Sequence, residues 1–197
     1  MSERHFIFGY GSLINSISRS ATGETGRAIA VKVSGFERHW SFISKSVAMS
    51  SVVVVPADGV QCNGVIVEIE ASELPSFDKR EEGYSRQLVS REQISTYADE
   101  ALPQGNIWLY QTDSVIAPCE QHPIVLSYLD VILAGCLEYG EAFCNDFVRF
   151  TRGWESVLLN DRGEPRYPRV QPDLPVELLN PYIAGAASGC QLQGTYS

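Results

Sequence analysis

The sequence predicts an α+β fold, a mostly antiparallel sheet followed by helix, on three observations. From Phe6 to Tyr110 the apolar residues alternate or run in short β-branched blocks. From Pro123 their period lengthens to about 3.6 residues, the signature of one apolar helix face. Beyond Trp154 prolines and turn residues dominate, and the chain reads as an extended tail. The 197 residues suit one domain. The change of period divides it into a strand-rich body over 1–120 and a C-terminal helix with a wrapping tail over 121–197, packed on the same body.

Taken in order, Phe6 to Phe8 is an apolar run suited to a buried strand. Gly9 and Gly11 free the backbone after it, and Ser12 is placed to cap the next element. Ile14 to Thr25 is rich in Ser, Thr and Gly and reads as a loop with one helical turn. Ala28 to Val33 alternates and ends at Ser34-Gly35, a strand followed by a turn, with Phe36 to Phe42 as the next strand. Ser51 to Pro56 holds four consecutive valines, a central strand. Asp58-Gly59 then reads as a turn, and Val60 to Ile69 as the second arm of a hairpin. Ser72 and Pro75 open a short helix that reaches Arg80. Arg86 to Ile94 and Gly105 to Tyr110 are further strands, and Asp113 to Gln121 is a loop. Val125, Leu129, Ile132, Cys136, Tyr139, Phe143 and Phe147 form one stripe of a helix of about 28 residues. Pro123 suits its first turn and Gly153 its stop, with Gly135 and Gly140 inside, where they permit a bend or close packing.

Composition narrows the function. A net charge of −9 argues against nucleic acid and anionic membrane surfaces as partners. No apolar run approaches 18 residues, and the N-terminus lacks a basic region followed by an apolar stretch, so neither a membrane span nor a secretion signal is expected. Five cysteines (Cys62, Cys119, Cys136, Cys144 and Cys190) include no C-x-x-C pair. An odd number without pairing reads as a reduced cytoplasmic protein whose cysteines are small apolar fillers. His5, His39 and His122 are scattered, without H-x-x-x-H or H-x-E spacing, so no metal and no other cofactor is expected.

Chemistry concentrates in two stretches. The first is His5-Phe6-Ile7-Phe8-Gly9-Tyr10-Gly11-Ser12-Leu13, a strand that runs into a glycine turn. Three ligand classes bind such a turn. A dinucleotide loop needs a third glycine where Ile14 stands, and an acidic strand end about 20 residues on, which is absent. A P-loop needs a Gly-Lys-Ser/Thr that does not follow. The remaining class is a loop whose main-chain N–H groups hold a carboxylate or amide oxygen. The second stretch is Asp78-Lys79-Arg80-Glu81-Glu82-Gly83-Tyr84-Ser85-Arg86. In the tail, Arg162, Arg166 and Arg169 cluster, either as solvated charges or as a clamp for a substrate carboxylate.

In this order, the Phe8-Gly9-Tyr10-Gly11-Ser12-Leu13 turn, the Val33-to-Arg38 segment, Asn63 to Val67, Asp78 to Arg86 and Trp108-Leu109-Tyr110 resemble the γ-glutamylcyclotransferase superfamily. The resemblance covers about residues 5 to 112 and says little about 121–197. It implies a compact, mostly antiparallel β-barrel with flanking helices. It also implies conversion of a γ-glutamyl amide or amine to 5-oxoproline and a free amine, without a cofactor. Gly9, Tyr10, Gly11, Ser12 and Leu13 then hold the glutamyl part, Glu81 is the general acid and base, and Tyr84 and Tyr110 are substrate-facing hydroxyls or satisfied core tyrosines. Glu82 separates Glu81 from Gly83, a departure from the family form that leaves open which carboxylate faces inward. On an extended segment the two neighbours face opposite sides. Asp78 is expected to orient the turn by bonding main-chain N–H groups.

The chemistry fits the residues. An α-ammonium must lose a proton before it attacks its own γ-carbonyl, and the departing amine needs one later; one carboxylate serves both steps. A second reading is a catalytically idle member of the same fold that binds a small ligand or a protein. Nothing in the sequence selects the leaving amine or the oligomeric state.

Overall fold

The computed structural model describes residues 3–21, 26–42, 48–81 and 83–193, the side chains of Arg80 and 187–193 aside. Glu82 therefore lies outside the described residues. Strand β1 (His5–Gly9) leads through a 3-10 turn (Ser12–Ile14) into helix α1 (Ser16–Ser20). Asn15, not Ser12, caps α1, its side chain accepting the Ser18 N–H at 2.9 Å. The long strands β2 (Ala28–Ser41) and β3 (Ser51–Ile69) come next.

A 3-10 turn over Ala71–Glu73 then leads into helix α2 (Leu74–Arg80). Pro75 stands in the first turn of α2, and Ser72 is not its cap. Strands β4 (Ser85–Leu88), β5 (Ile94–Thr96) and β6 (Asn106–Gln111) complete the body. The strand expected over 86–94 is broken by a 3-10 turn at Arg91–Gln93, which a Ser90–Gln93 capping box starts.

The main sheet runs β4-β6-β1-β3-β2-β5. It is antiparallel except for the β1–β6 pair and for the short strand Thr151–Arg152, which lies parallel to β2. The α+β class holds; the expected barrel is not seen, since no sheet closes on itself among the described residues. Where a seam between β6 and the first half of β3 would run, the Thr112 N–H donates to the Val54 carbonyl at 3.0 Å. Strand β1 stops at Gly9, and the glycine loop occupies that gap.

Two expected turns are bulges. Ser34-Gly35 and Asp58-Gly59 lie opposite each other inside one continuous β2–β3 pairing, whose register shifts between Ser34 and Phe36. The runs before and after Asp58-Gly59 are thus two halves of β3, both paired with β2, and not arms of a hairpin. Gly35 and Gly59 have φ of +86° and +75°, which lets the backbone bend without ending the ladder. The bulge also reverses the buried phase of β2, from Ile29, Val31 and Val33 to Phe36, Arg38 and Trp40. That reversal makes one strand read as two.

The helical region opens with β7 (Ile124–Val125) and α3 (Leu126–Leu137), then α4 (Glu141–Arg149) and β8 (Thr151–Arg152). The single long helix is therefore two. Gly140, with φ of +97°, breaks it, while the apolar stripe carries on because both helices pack on the same core. Strand β9 (Leu158–Leu159) pairs with β7. The tail is not extended throughout: Val176–Gln193 forms helix α5, with Pro181 inside it. Leu179 and Ala186 of α5 are buried in the core shared with α3 and α4.

The sheet separates its apolar side chains by parity. Val65 and Val67 pack under the helices with Leu129, Ile132, Phe143 and Phe147. Ile66 packs on the other face with Phe6, Phe8, Ile107 and Leu109. A smaller cluster of Ile7, Ile69, Phe77 and Tyr110 seats α2 beside β1. Cys62, Cys136 and Cys144 are buried fillers, whereas Cys119 is exposed. No helix among the described residues is long and apolar enough to cross a membrane.

Candidate active site

The glycine loop begins where β1 leaves the sheet. Gly9 and Gly11 are needed for space rather than for an unusual φ; neither lies in the left-handed region. A Cβ on Gly11 would meet Val52 Cγ2 at 2.8 Å and the Tyr128 hydroxyl at 3.1 Å, and one on Gly9 would meet Leu13 Cβ at 2.7 Å. The loop closes as a 3-10 turn, with the Ile14 N–H donating to the Gly11 carbonyl at 2.9 Å. The leading N–H groups of such a turn have no acceptor inside it. Buried Arg19 donates to the carbonyls of Leu13 and Ile14 and so holds the loop's far end.

Helix α2 delivers the carboxylate. Glu81 stands at its C-cap, with its N–H on the Phe77 carbonyl at 2.9 Å and its own carbonyl accepting the Tyr84 N–H at 3.0 Å. Asp78, one turn earlier, takes side-chain donors among the described residues rather than the main-chain N–H groups expected of it. It accepts the Tyr110 hydroxyl at 2.7 Å and the Arg86 guanidinium at 3.0 Å, tying α2 to β6 and β4. The Tyr10 hydroxyl donates to the Tyr110 carbonyl at 2.7 Å, tying the glycine loop to the same strand.

These groups enclose a cavity of about 130 Å³. Gly9, Tyr10, Gly11, Ser12, Leu13, Glu81, Tyr84 and Tyr110 all line it. Ser51, Val52, Phe77 and Tyr128 line it too and were not expected from the sequence. Tyr128 carries the one available signal, a hydroxyl beside the apolar stripe at the start of a helix. Arg162, Arg166 and Arg169 are not among the lining residues. Arg162 instead clamps the buried Asp130 carboxylate with two bonds of 2.7 Å, and Arg166 donates to the Ala48 carbonyl at 2.7 Å.

The cavity keeps its tyrosines protonated. Burial, and then the Glu81 charge, push the Tyr84 hydroxyl well above the ordinary phenol range. Burial raises Tyr10 and Tyr128 as well, with Glu81 among the further causes. Tyr110 is raised by burial and by its bond to Asp78. Neutral hydroxyls, main-chain N–H groups and the Glu81 carboxylate therefore converge on one small volume. Sites for larger ligands run to roughly 300–1,000 Å³, so this cavity suits a ligand of amino-acid size rather than a nucleotide. Wider clefts of about 660, 750 and 550 Å³ lie at the α4–α5 junction, over the β2–β3 bulge and along β5, and none of the three includes the glycine loop among its described lining residues.

The lining offers hydrogen-bond donors and the Glu81 carboxylate to a ligand that fits it. Comparison with solved structures defines the class further: the chain has the γ-glutamylcyclotransferase fold. It is similar to a γ-glutamyl cyclotransferase, with 17% identity and a TM-score of 0.54 over 72% of this chain and 86% of that one. An uncharacterised protein from Homo sapiens is similar to the same degree, at 17% identity and 0.54, over 72% and 87% of the two chains. YkqA from Bacillus subtilis shares 18% identity at a TM-score of 0.50, over 75% of this chain and 54% of its own. No protein-family model and no curated protein sequence matches the chain.

Proposed function

We propose that the protein is a γ-glutamylcyclotransferase-like enzyme that releases 5-oxoproline from a γ-glutamyl amide or amine. The observation that carries this reading is the convergence of the glycine loop and Glu81, delivered by separate elements, on one cavity of about 130 Å³. Glu81 takes a proton from the α-ammonium. The freed nitrogen attacks the γ-carbonyl and closes the five-membered ring, leaving the carbonyl oxygen as an oxyanion. Loop N–H groups at Ser12 and Leu13, the leading ones of the 3-10 turn, stabilise that oxyanion. The tetrahedral centre then collapses and the bond to the leaving nitrogen breaks as Glu81 returns its proton to that nitrogen; the carboxylate so freed takes the second proton from the ring nitrogen and passes it to the departing amine, which leaves as an ammonium ion.

Magnitudes support the economy of this design. A correctly oriented intramolecular attack is worth roughly 7–11 kcal/mol. Each oxyanion donor adds about 3–4 kcal/mol, and proton transfer contributes about 10²–10⁴-fold. A snug cavity with one carboxylate and a donor loop supplies all three. We further read 1–120 and 121–197 as one domain, since α3 and α4 bury their stripe on the sheet.

The test is incubation with γ-glutamyl amino acids, γ-glutamyl amines and glutathione, with 5-oxoproline quantified. Product from at least one compound is expected. No product across the panel, together with measurable binding of any member, would instead establish an idle small-ligand binder.

A further inference from the structure

Arg38 has no solvent exposure, yet every partner of its guanidinium is neutral. Its Nε donates to Thr151 Oγ1 at 2.7 Å. One terminal nitrogen donates to the carbonyls of Asn63 at 2.6 Å and Tyr10 at 3.3 Å. The other donates to Asn63 Oδ1 at 2.7 Å and the Phe147 carbonyl at 3.1 Å. A guanidinium has five N–H donors, and these five bonds use all of them. No carboxylate is directly bonded, so a full positive charge lies in the interior, offset by carbonyl dipoles and by the face of Phe147, 3.9 Å from its carbon centre. Phe147 lies in the last turn of α4, where a helix carries partial negative charge.

Burying a charge without a partner is costly, and its placement here coincides with the glycine loop. The Tyr10 carbonyl that Arg38 holds belongs to the Tyr10–Gly11 peptide. In a trans peptide the carbonyl and the next N–H point in opposite directions, so the Gly11 N–H is turned away from Arg38. Gly11 and Tyr10 both line the cavity. Among the described residues that line it there is no lysine or arginine. The charge of Arg38 already acts on neighbours: it opposes the burial that pushes the Cys62 thiol up to about 11.

Resting on the cyclotransferase reading, we propose that Arg38 is a positioning residue for the carboxylate end of the substrate: it fixes the Gly11 N–H through the Tyr10 carbonyl and supplies positive charge from behind the loop. The α-carboxylate is present in ground and transition states alike, so the effect falls on KM rather than kcat.

Three variants test this on the best γ-glutamyl substrate and on its analogue with the α-carboxylate replaced by a carboxamide. Arg38→Met removes the charge. Asn63→Asp keeps the guanidinium and neutralises it in place, at the loss of the bond that the Asn63 amide donates to the Phe143 carbonyl, a loss felt equally by both substrates. Arg38→Lys keeps the charge and loses the fork. For the carboxylate substrate, Arg38→Met and Asn63→Asp should raise KM about tenfold, the scale of one unit charge acting across a protein interior, with kcat within about threefold. KM for the carboxamide should stay unchanged in both, and Arg38→Lys should restore most of the carboxylate preference. If Arg38→Met fails to fold, Asn63→Asp decides. An unchanged KM in Asn63→Asp, or equal increases for the two substrates, overturns the proposal and leaves the cyclotransferase reading intact. A wild-type protein inactive on every γ-glutamyl compound overturns both.

Discussion

The strand-rich body, residues 5–111, places the glycine loop, Glu81, Tyr84 and Tyr110 at the cavity, whereas the helical region, residues 124–186, contributes Tyr128 to its lining and otherwise acts from behind. There it is closely engaged. A Cβ on Gly135 of α3 would meet the Asn15 main-chain nitrogen at 2.4 Å, so that helix lies directly against the end of the loop. Glu138 accepts the Ser16 N–H and hydroxyl at 2.9 and 3.0 Å. The Phe143 and Phe147 carbonyls of α4 take Asn63 and Arg38 at 2.8 and 3.1 Å. The contrast is physical. Groups that line the cavity sit where strands end and main-chain N–H groups are available, while the groups that fix them sit in helices, where packing determines position. The helical region is thus part of the site's scaffold.

Perturbing the two regions should give different signatures. The largest effect is expected in the body. Glu81→Gln keeps size and removes the base, so turnover should fall roughly 10²–10⁴-fold with an unchanged melting temperature. Glu82→Gln should cost little. If Glu82→Gln is the inactive variant, the carboxylate assignment moves by one residue.

Next is Gly11→Ala, whose methyl meets Val52 and Tyr128. Displacing the loop by ~1 Å should cost about 10²-fold in kcat/KM. Steady-state rates near wild type would show that the loop's position is not critical.

Gly135→Ala carries the comparison into the helical region. Overpacking against Asn15 should destabilise by about 1–3 kcal/mol in denaturant melts. The loss in kcat/KM should be smaller than that of Gly11→Ala, because it reaches the cavity through the loop alone. Lost stability with fully unchanged kinetics would mean that α3 supports the fold and not the site.

The smallest effect is expected at Asp161, which lies far from the reacting groups in role. Burial raises its carboxyl, but bonds from the Ser127 hydroxyl and N–H and from the Arg166 N–H outweigh that, and the net shift is downward. A lowered folded value stabilises the protein above the unfolded value near 3.9, and that contribution is lost as pH falls through the folded value. Asp161→Asn should therefore cost about 1 kcal/mol at pH 7, a difference that shrinks below about pH 4, with kcat unaffected. Urea melts across that range read it.

Much of the molecule was legible from residue order. Phe6 to Gly11 announced a strand and a loop because apolar residues and glycines are local signals. The bulges were not legible as bulges, because Gly35 and Gly59 look like turn residues, and only pairing with a partner strand shows that the ladder continues through them. The stripe from Val125 to Phe147 showed that both α3 and α4 face the core, and for that reason hid the break at Gly140. Pro181 and the small residues after it masked α5, whose stability comes from packing Leu179 and Ala186 rather than from propensity. Arg162 read as a spare cation because its partner Asp130 lies 32 residues away in sequence. Tyr128 and the acceptors of Arg38 are likewise long-range, and no local pattern marks them.

The central claim is that the substrate's own amine, not water, attacks the γ-carbonyl. It is tested most directly by running the reaction in ¹⁸O-water and following the products by mass spectrometry. Intramolecular attack predicts 5-oxoproline and free amine in equal amounts, with no ¹⁸O in the 5-oxoproline formed. Glutamate carrying ¹⁸O in its γ-carboxylate as the first product would show hydrolysis, and would contradict the assignment of the glycine loop and Glu81 to cyclisation.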